Sequence, residues 1–271
     1  MNSSERIRGA FYDGAGNARK ALITFITGGD PDIAATERLI AAMEAADADI
    51  IEIGVPFSDP IAEGIVIQAA DERALAGGCT TDALFEMVGR LRGSVRIPLL
   101  FMTYVNPIFT YGKRRFMRRC AECGVDGVIV PDMPFEEKDE LADECRESGV
   151  CLISMISPIS DERVGMIARE AEGFLYCVSS LGVTGMRSEI NSDVGGLIRE
   201  ARRVTDVPCA VGFGISTPEQ ARDMAAISDG VIVGSAIVNI VAERGADSAE
   251  PVARFVRELK AAISESPMSS V

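Results

Sequence analysis

Glu52 sits inside the apolar run Ile50-Ile51-Glu52-Ile53, which Gly54 and Pro56 bring to a stop. The run is short and β-branched, so it predicts a strand buried on both faces. An ionised carboxylate there costs several kcal/mol unless it is paired, kept neutral by a raised pKa, or placed where a ligand arrives. The next stretch, Phe57-Ser58-Asp59-Pro60-Ile61-Ala62-Glu63-Gly64, reads as a loop carrying two more carboxylates. A strand carboxylate followed by a loop carboxylate can supply one general acid and one general base. The alternative is a structural Glu52 held by an arginine, with a polar surface loop after it. On these residues alone the two readings stand level.

The remaining composition narrows the chemistry. The chain has 271 residues and no His, which excludes His-based triads, His-ligated zinc and a His general base. Seven Cys are scattered along it and read as free thiols used as small hydrophobes. Cys120-x-x-Cys123 falls late in a helical run without a second ligand pair, which argues against a metal or redox role. A Schiff-base lysine would need to stand at the C-terminal end of a strand. The only lysines, Lys20, Lys113, Lys138 and Lys260, do not. A net charge of −14 argues against nucleic acid and anionic membranes as partners. No apolar stretch reaches the roughly 20 residues of a membrane span, and Met1 to Lys20 carries no signal-peptide core, so a cytoplasmic protein is expected.

The elements that must position the acids come as an alternation. Predicted strands at 21–27, 49–54, 97–103, 127–130, 150–155, 174–178, 208–212 and 230–233 are each followed by helical periodicity. The helices fall at 32–46, 65–77 with 80–92, 108–123, 135–148, 160–171, 192–204, 217–226 and 235–243, with a last one at 249–264. An extra helix is expected at 3–12, and residues 264–271 read as a frayed tail. The strands are continuous apolar runs, as in a parallel sheet covered on both faces. Eight β/α units in about 250 residues fit a closed barrel. No G-x-G-x-x-G or Walker motif supports an open doubly wound sheet. The reading is therefore α/β, a single (β/α)₈ TIM barrel with an additional N-terminal helix, one domain over residues 1–271.

In such barrels chemistry sits where strands end and βα loops begin, with phosphate often held after the last two strands. Gly182-Val183-Thr184-Gly185, Gly212-Phe213-Gly214-Ile215-Ser216 and Gly234-Ser235 follow the last three predicted strands. Ser235 opens a helix, whose free N–H groups attract an anion. Thr217-Pro218-Glu219-Gln220 has capping-box spacing, so its neighbouring amides are expected to point outward as well. The loop from about 179 to 191 is long enough to act as a lid.

These motifs resemble the tryptophan synthase alpha chain family. The resemblance is carried by Phe57 to Gln68, Gly28-Gly29-Asp30-Pro31, Tyr104-Val105-Asn106-Pro107, Pro131-Asp132-Met133-Pro134, the glycine-rich 182–185 and Val211 to Ile215, in order from about Phe11 to Lys260. It implies retro-aldol cleavage of indole-3-glycerol phosphate to indole and glyceraldehyde 3-phosphate. It also implies that Glu52 protonates indole C3 and that Glu63 meets the ring N–H. Tyr104, Tyr176 and Thr184 would contact substrate or the second acid. Phe25, Leu100, Met102, Ile129 and Phe213 would line the indole pocket. Gly185, Gly214, Ile215, Gly234 and Ser235 would cradle phosphate. The chain departs from the family where Glu63 replaces the more usual Asp, Ile65 the usual Pro, and Ser180 a lid Arg. No cofactor is implied in this chain. The implied partner is a beta subunit that holds pyridoxal phosphate, in an alpha2beta2 complex with indole passing between subunits. Three other readings remain at this point: a free-standing lyase, a weakly active barrel that activates the beta subunit, and another phosphosugar barrel enzyme such as an isomerase.

Overall fold

The computed structural model describes residues 2–158, 161–178, 187–212 and 214–266. Nine strand segments form one parallel sheet: β1 (Ala21–Thr27), β2 (Ile50–Gly54), β3 (Leu99–Met102), β4 (Gly127–Ile129), β5 (Cys151–Leu152), β6 (Ser154–Ile156), β7 (Leu175–Val178), β8 (Cys209–Gly212) and β9 (Gly230–Val233). Their order is β5-β4-β3-β2-β1-β9-β8-β7-β6. The two ends of the sheet are halves of one chain segment. β5 pairs with β4, β6 pairs with β7, and Ile153 between them donates its N–H to the Val128 carbonyl at 2.9 Å. The sheet thus returns on itself as a barrel, as the eight β/α units predict.

Helices cover the outside: α2 (Ile33–Glu44), α3 (Ile65–Ala76), α4 (Thr81–Leu91), α5 (Val105–Tyr111), α6 (Lys113–Cys123), α7 (Asp139–Ser148), α8 (Asp161–Arg169), α9 (Arg187–Arg202), α10 (Pro218–Ala225), α11 (Ser235–Arg244) and α12 (Ala249–Ser264). Their starts follow local chemistry. The Asp32 carboxylate accepts the Ala35 N–H at 2.7 Å at the head of α2, and Thr80 and Thr217 do the same for α4 and α10.

Strand alternation sorts the apolar side chains into two shells. Ile51, Ile53, Leu99, Phe101 and Val128 face the helices and pack with Leu39, Met43, Phe85 and Phe116. Ile23, Phe25, Ile50, Leu100, Met102, Ile129, Phe174 and Ile232 fill the barrel interior. The additional helix α1 (Ser3–Gly9) closes the lower end, and its fully buried Ile7 belongs to the interior shell. Three aspartates at strand starts tie that end together. Asp49 accepts the Leu22 N–H at 2.7 Å, Asp126 the Leu99 N–H at 3.0 Å, and Asp229 the Cys209 N–H at 2.8 Å. Each is also ion-paired: Asp49 to Arg19 and Lys260, Asp126 to Arg6 and Arg92, Asp229 to Arg202.

Four elements differ from the sequence expectation. The predicted helix 108–123 is two helices, divided at Gly112, whose φ of 93° no continuous helix can contain. The predicted strand 150–155 is divided at Ile153, where pairing passes from β4 to β7. The N-terminal helix stops at Gly9. The expected lid of 179–191 is shorter as loop, because α9 already begins at Arg187; residues 179–186 lie outside the described residues.

Candidate active site

The parity of β2 decides where Glu52 points. Ile51 and Ile53 belong to the outer shell, so Ile50, Glu52 and Gly54 face the barrel interior. In register Glu52 lies between Phe25 of β1 and Leu100 of β3. It is 0% exposed, and among the described residues neither carboxyl oxygen has a hydrogen-bond partner. Among the described residues no arginine holds it, which argues against the structural alternative. Burial alone pushes its pKa from 4.5 to about 8, and the group is therefore mostly a neutral acid at pH 7. Two missing side chains make room around it. A Cβ on Gly54 would meet the Phe25 ring at 2.7 Å, and one on Gly212 would meet the Tyr176 hydroxyl at 2.7 Å. Tyr176, on β7 across the barrel, feels both Glu52 and Glu63. Burial and those two acids hold its phenol far above the usual range.

Glu63 comes from the loop between β2 and α3. Its carbonyl accepts Gln68 Nε2 at 2.8 Å, which ties it to the first turn of α3. The preceding Ala62 N–H donates to the Tyr104 hydroxyl at 2.9 Å, and the Tyr104 and Phe57 rings pack with centroids 5.3 Å apart. Tyr104 therefore pins the loop from below. Ile61 turns outward, as does Ile65 at the head of α3, each more than four-fifths exposed. Burial first, and then the neighbouring Asp71 carboxyl, raises the pKa of Glu63.

A cavity of about 1070 Å³ opens at this end of the barrel. Phe25, Glu63, Tyr176, Gly214, Ile215, Gly234 and Ser235 line it, together with Met102. Glu52, Leu100, Tyr104 and Ile129 are not among the residues that line it, and each is at most 2% exposed. Thr184, Gly185 and Phe213 fall outside the described residues. At the anion end, α11 begins without a side-chain cap. The N–H groups of Ile237 and Val238 turn back to the Gly234 carbonyl, and Gly234, Ser235 and Ala236 border the cavity. The head of α10 differs from expectation. Gln220 Oε1 accepts the Ser216 N–H at 2.8 Å and Thr217 accepts the Gln220 N–H, so those two amides are satisfied internally. Thr217 therefore acts as the side-chain cap of α10.

The lysines stay away from the acids. Lys20 and Lys260 serve the lower end, where they reach the Ser228 carbonyl and Asp49. Lys113 pairs with Glu140. Lys138 borders the outer lobe of the cavity, paired with Glu170 and set over the Phe135 ring.

One residue escaped the sequence reading. Asp71 on α3 is 3% exposed and lies against Glu63. Its signal was positional: Ile67, Ala70, Asp71 and Ala74 share the face that α3 turns inward, at helical spacing. An acid on that face needs a partner, and the sequence does not reveal that the partner is another acid.

Two protonatable carboxyls, an apolar cavity and an uncapped helix N-terminus at one mouth of a parallel barrel define a (β/α)₈ enzyme suited to acid–base chemistry on an anionic substrate. The family model for tryptophan synthase alpha chain matches residues 11–265. The alpha chain of Geobacter sulfurreducens is 48% identical over 261 residues, covering 95% of this chain and 98% of that one. The alpha subunit structure from Legionella pneumophila superposes with a TM-score of 0.87 at 35% identity, covering 97% of this chain and 98% of that one. A chain of the tryptophan synthase complex from Pyrococcus furiosus gives 0.81 at 36% identity, covering 92% and 98%. The chain belongs to the tryptophan synthase alpha chain family, whose members are lyases.

Proposed function

We propose that the protein cleaves indole-3-glycerol phosphate to indole and glyceraldehyde 3-phosphate, with Glu52 and Glu63 as the reacting acids and residues 1–271 acting as one barrel domain. The observation that carries this reading is Glu52: a dry, unpartnered carboxyl that keeps its proton near neutral pH, inside the barrel beside Phe25. Carbon–carbon cleavage needs an electron sink, and no lysine stands near the acids to form one. Protonating C3 makes the indole ring the sink. Glu52 gives its proton to C3, and positive charge appears on the ring nitrogen. Glu63, as carboxylate, accepts the ring N–H and stabilises that charge. The Glu52 carboxylate then takes the proton of the side-chain hydroxyl next to C3. The C–C bond breaks, its electrons return to the ring, and the aldehyde leaves. Glu52 ends protonated, ready for the next turnover.

The other contacts follow from shape and dipole. The start of α11 at Gly234, Ser235 and Ala236, which has no side-chain cap, and the turn at Gly214 and Ile215 suit a phosphate. Phe25, Leu100, Met102 and Ile129 give the ring an apolar wall, and Tyr104 and Tyr176 flank the two acids. Thr184, Gly185 and Phe213 are carried from the family resemblance.

The chain needs no cofactor for these steps. We assign it a beta subunit as partner, in an alpha2beta2 complex that holds pyridoxal phosphate in beta and receives indole directly. Indole release, assayed with and without that subunit, tests the whole reading. A large rise with beta is expected. Full activity alone would make the protein a free-standing lyase, and none under either condition would reduce it to an activator.

A further inference from the structure

The Glu63 side chain faces a second acid that the reaction as written does not use. Asp71 sits on the inward face of α3, 3% exposed, as an electrostatic neighbour of Glu63. Among the described residues no basic side chain pairs with it. The nearest base on the helix, Arg73, is engaged bidentately by Asp30, at 2.9 and 2.7 Å. One Glu63 oxygen is buried without a hydrogen-bond partner. The groups around the pair are few. Burial raises the pKa of Asp71 above the usual carboxylate value, the Phe57 backbone opposes that, and Asp30 adds to it. Tyr104 and Tyr176 also feel Glu63, both as neutral phenols whose pKa values burial raises first, helped by Glu63 and, for Tyr176, by Glu52.

Two carboxyls this close and this dry cannot both ionise at neutral pH, and two neutral acids would leave nothing to meet a ring nitrogen. We propose that Asp71 is a positioning residue for the cleavage: it shares a single proton with Glu63, holding that side chain against α3 until substrate engages it. The inference rests on the assignment of Glu63 above. It also accounts for a Glu at this position, whose extra methylene lets the carboxyl reach the α3 face.

The proton count follows. In the resting enzyme the pair carries one proton and one negative charge, with the proton mainly on Glu63. When the ring N–H presents itself, the proton moves to Asp71 and the Glu63 carboxylate accepts the N–H. No proton enters or leaves, and on product release it returns to Glu63. The Asp71 charge holds the Glu63 proton in place, so replacing Asp71 by a neutral isostere must let Glu63 ionise at lower pH.

The test is Asp71→Asn, read two ways. First, the carbon-13 signal of the Glu63 carboxyl is titrated in the substrate-free protein, assigned with Glu63→Gln. The wild-type signal should move in two steps, because it senses its neighbour's proton as well as its own. In Asp71→Asn it should move in one step, displaced to lower pH by at least one unit. Second, the acid limb of kcat/KM for indole release should shift to higher pH, because in the wild type it reports loss of the first of the pair's two protons, whereas in the variant Glu63 itself must ionise. A merely structural role would lower activity without moving that limb. The two-step wild-type titration needs no variant, so it stands even if Asp71→Asn fails to fold. A one-step wild-type signal, or an unmoved signal in the variant, overturns the shared proton. A shifted signal with an unmoved acid limb overturns the positioning role and leaves the lyase reading intact. Should the wild type release no indole, the titration still reports on the pair, and it is the lyase reading that falls.

Discussion

Replacing Glu52 by Gln tests the physics and the chemistry together. The unfolded chain releases the Glu52 proton near pH 4.5, whereas the folded protein keeps it until about 8. Between those values the folded state holds more protons than the unfolded state, so stability falls as pH rises through the window. The rise in pKa corresponds to a loss on the order of 5 kcal/mol once both values are passed, at 1.36 kcal/mol per unit. Gln has no such proton. Urea unfolding of both proteins at pH 5 and at pH 9 gives four free energies. The variant should gain on the wild type by roughly 2–5 kcal/mol across that range, because other titrating groups cancel in the comparison. The same variant should lose cleavage by about two to four powers of ten while still binding glycerol 3-phosphate. Parallel pH dependences for the two proteins would mean that Glu52 is wetter or better paired than its surroundings indicate, and the argument for a stored proton would be refuted.

Further predictions concern the same parts. If a neutral Glu52 delivers the proton, kcat/KM for indole release should decline tenfold per pH unit above about 8, and a pH–rate profile that stays flat to pH 10 would contradict the assignment. Gly212→Ala puts a methyl 2.7 Å from the Tyr176 hydroxyl, so it should cost about 1–3 kcal/mol in urea unfolding and depress kcat by displacing that ring toward the acids. Asp126→Ala removes two ion-pair partners and the acceptor of the Leu99 N–H at the lower end of the barrel. Differential scanning calorimetry should register a loss of about 3–5 kcal/mol, with KM unchanged because the site lies at the opposite mouth.

How much of this could be read from residues alone depends on the kind of information each feature uses. Strands and helices were legible because their signals are periodic and local. A continuous apolar run such as Ala21–Thr27 cannot be an amphipathic helix, and Asp32, Thr80 and Thr217 mark helix starts by chemistry that acts over three residues. The failures are tertiary. Gly112 looks tolerable inside a helical pattern, yet its φ of 93° breaks the helix into α5 and α6. The division at Ile153 falls where pairing passes from β4 to β7. The polar stretch after Met186 reads as loop, although helix begins at Arg187. At the site, Glu52 could be placed on a strand, yet its inward direction needed the parity fixed by Ile51 and Ile53 in the outer shell. Asp71 was invisible for the same reason as the clamping residues Asp49, Asp126 and Asp229. A buried acid is recognised by what it faces, and its partners lie in other parts of the chain.

The two acids are kept protonated by different means, and that difference assigns their work. Glu52 is raised by dryness alone, on a rigid strand, with no charged neighbour contributing. Its proton is therefore insensitive to the loop above it, which suits a group that must be loaded before substrate arrives. Glu63 belongs to that loop and owes part of its shift to Asp71 on α3. Any movement of the loop that parts the two carboxyls lowers the Glu63 pKa and frees a negative charge where the ring nitrogen would lie. The loop is tethered at Ala62 through Tyr104 and at Glu63 through Gln68, and its apolar Ile61, with Ile65 at the head of α3, faces outward. Pressure on those side chains from a bound partner would therefore act on the second acid and leave the first untouched. A partner that speeds cleavage by this route should shift the acid limb of the pH profile and leave the alkaline limb, set by Glu52, where it stands.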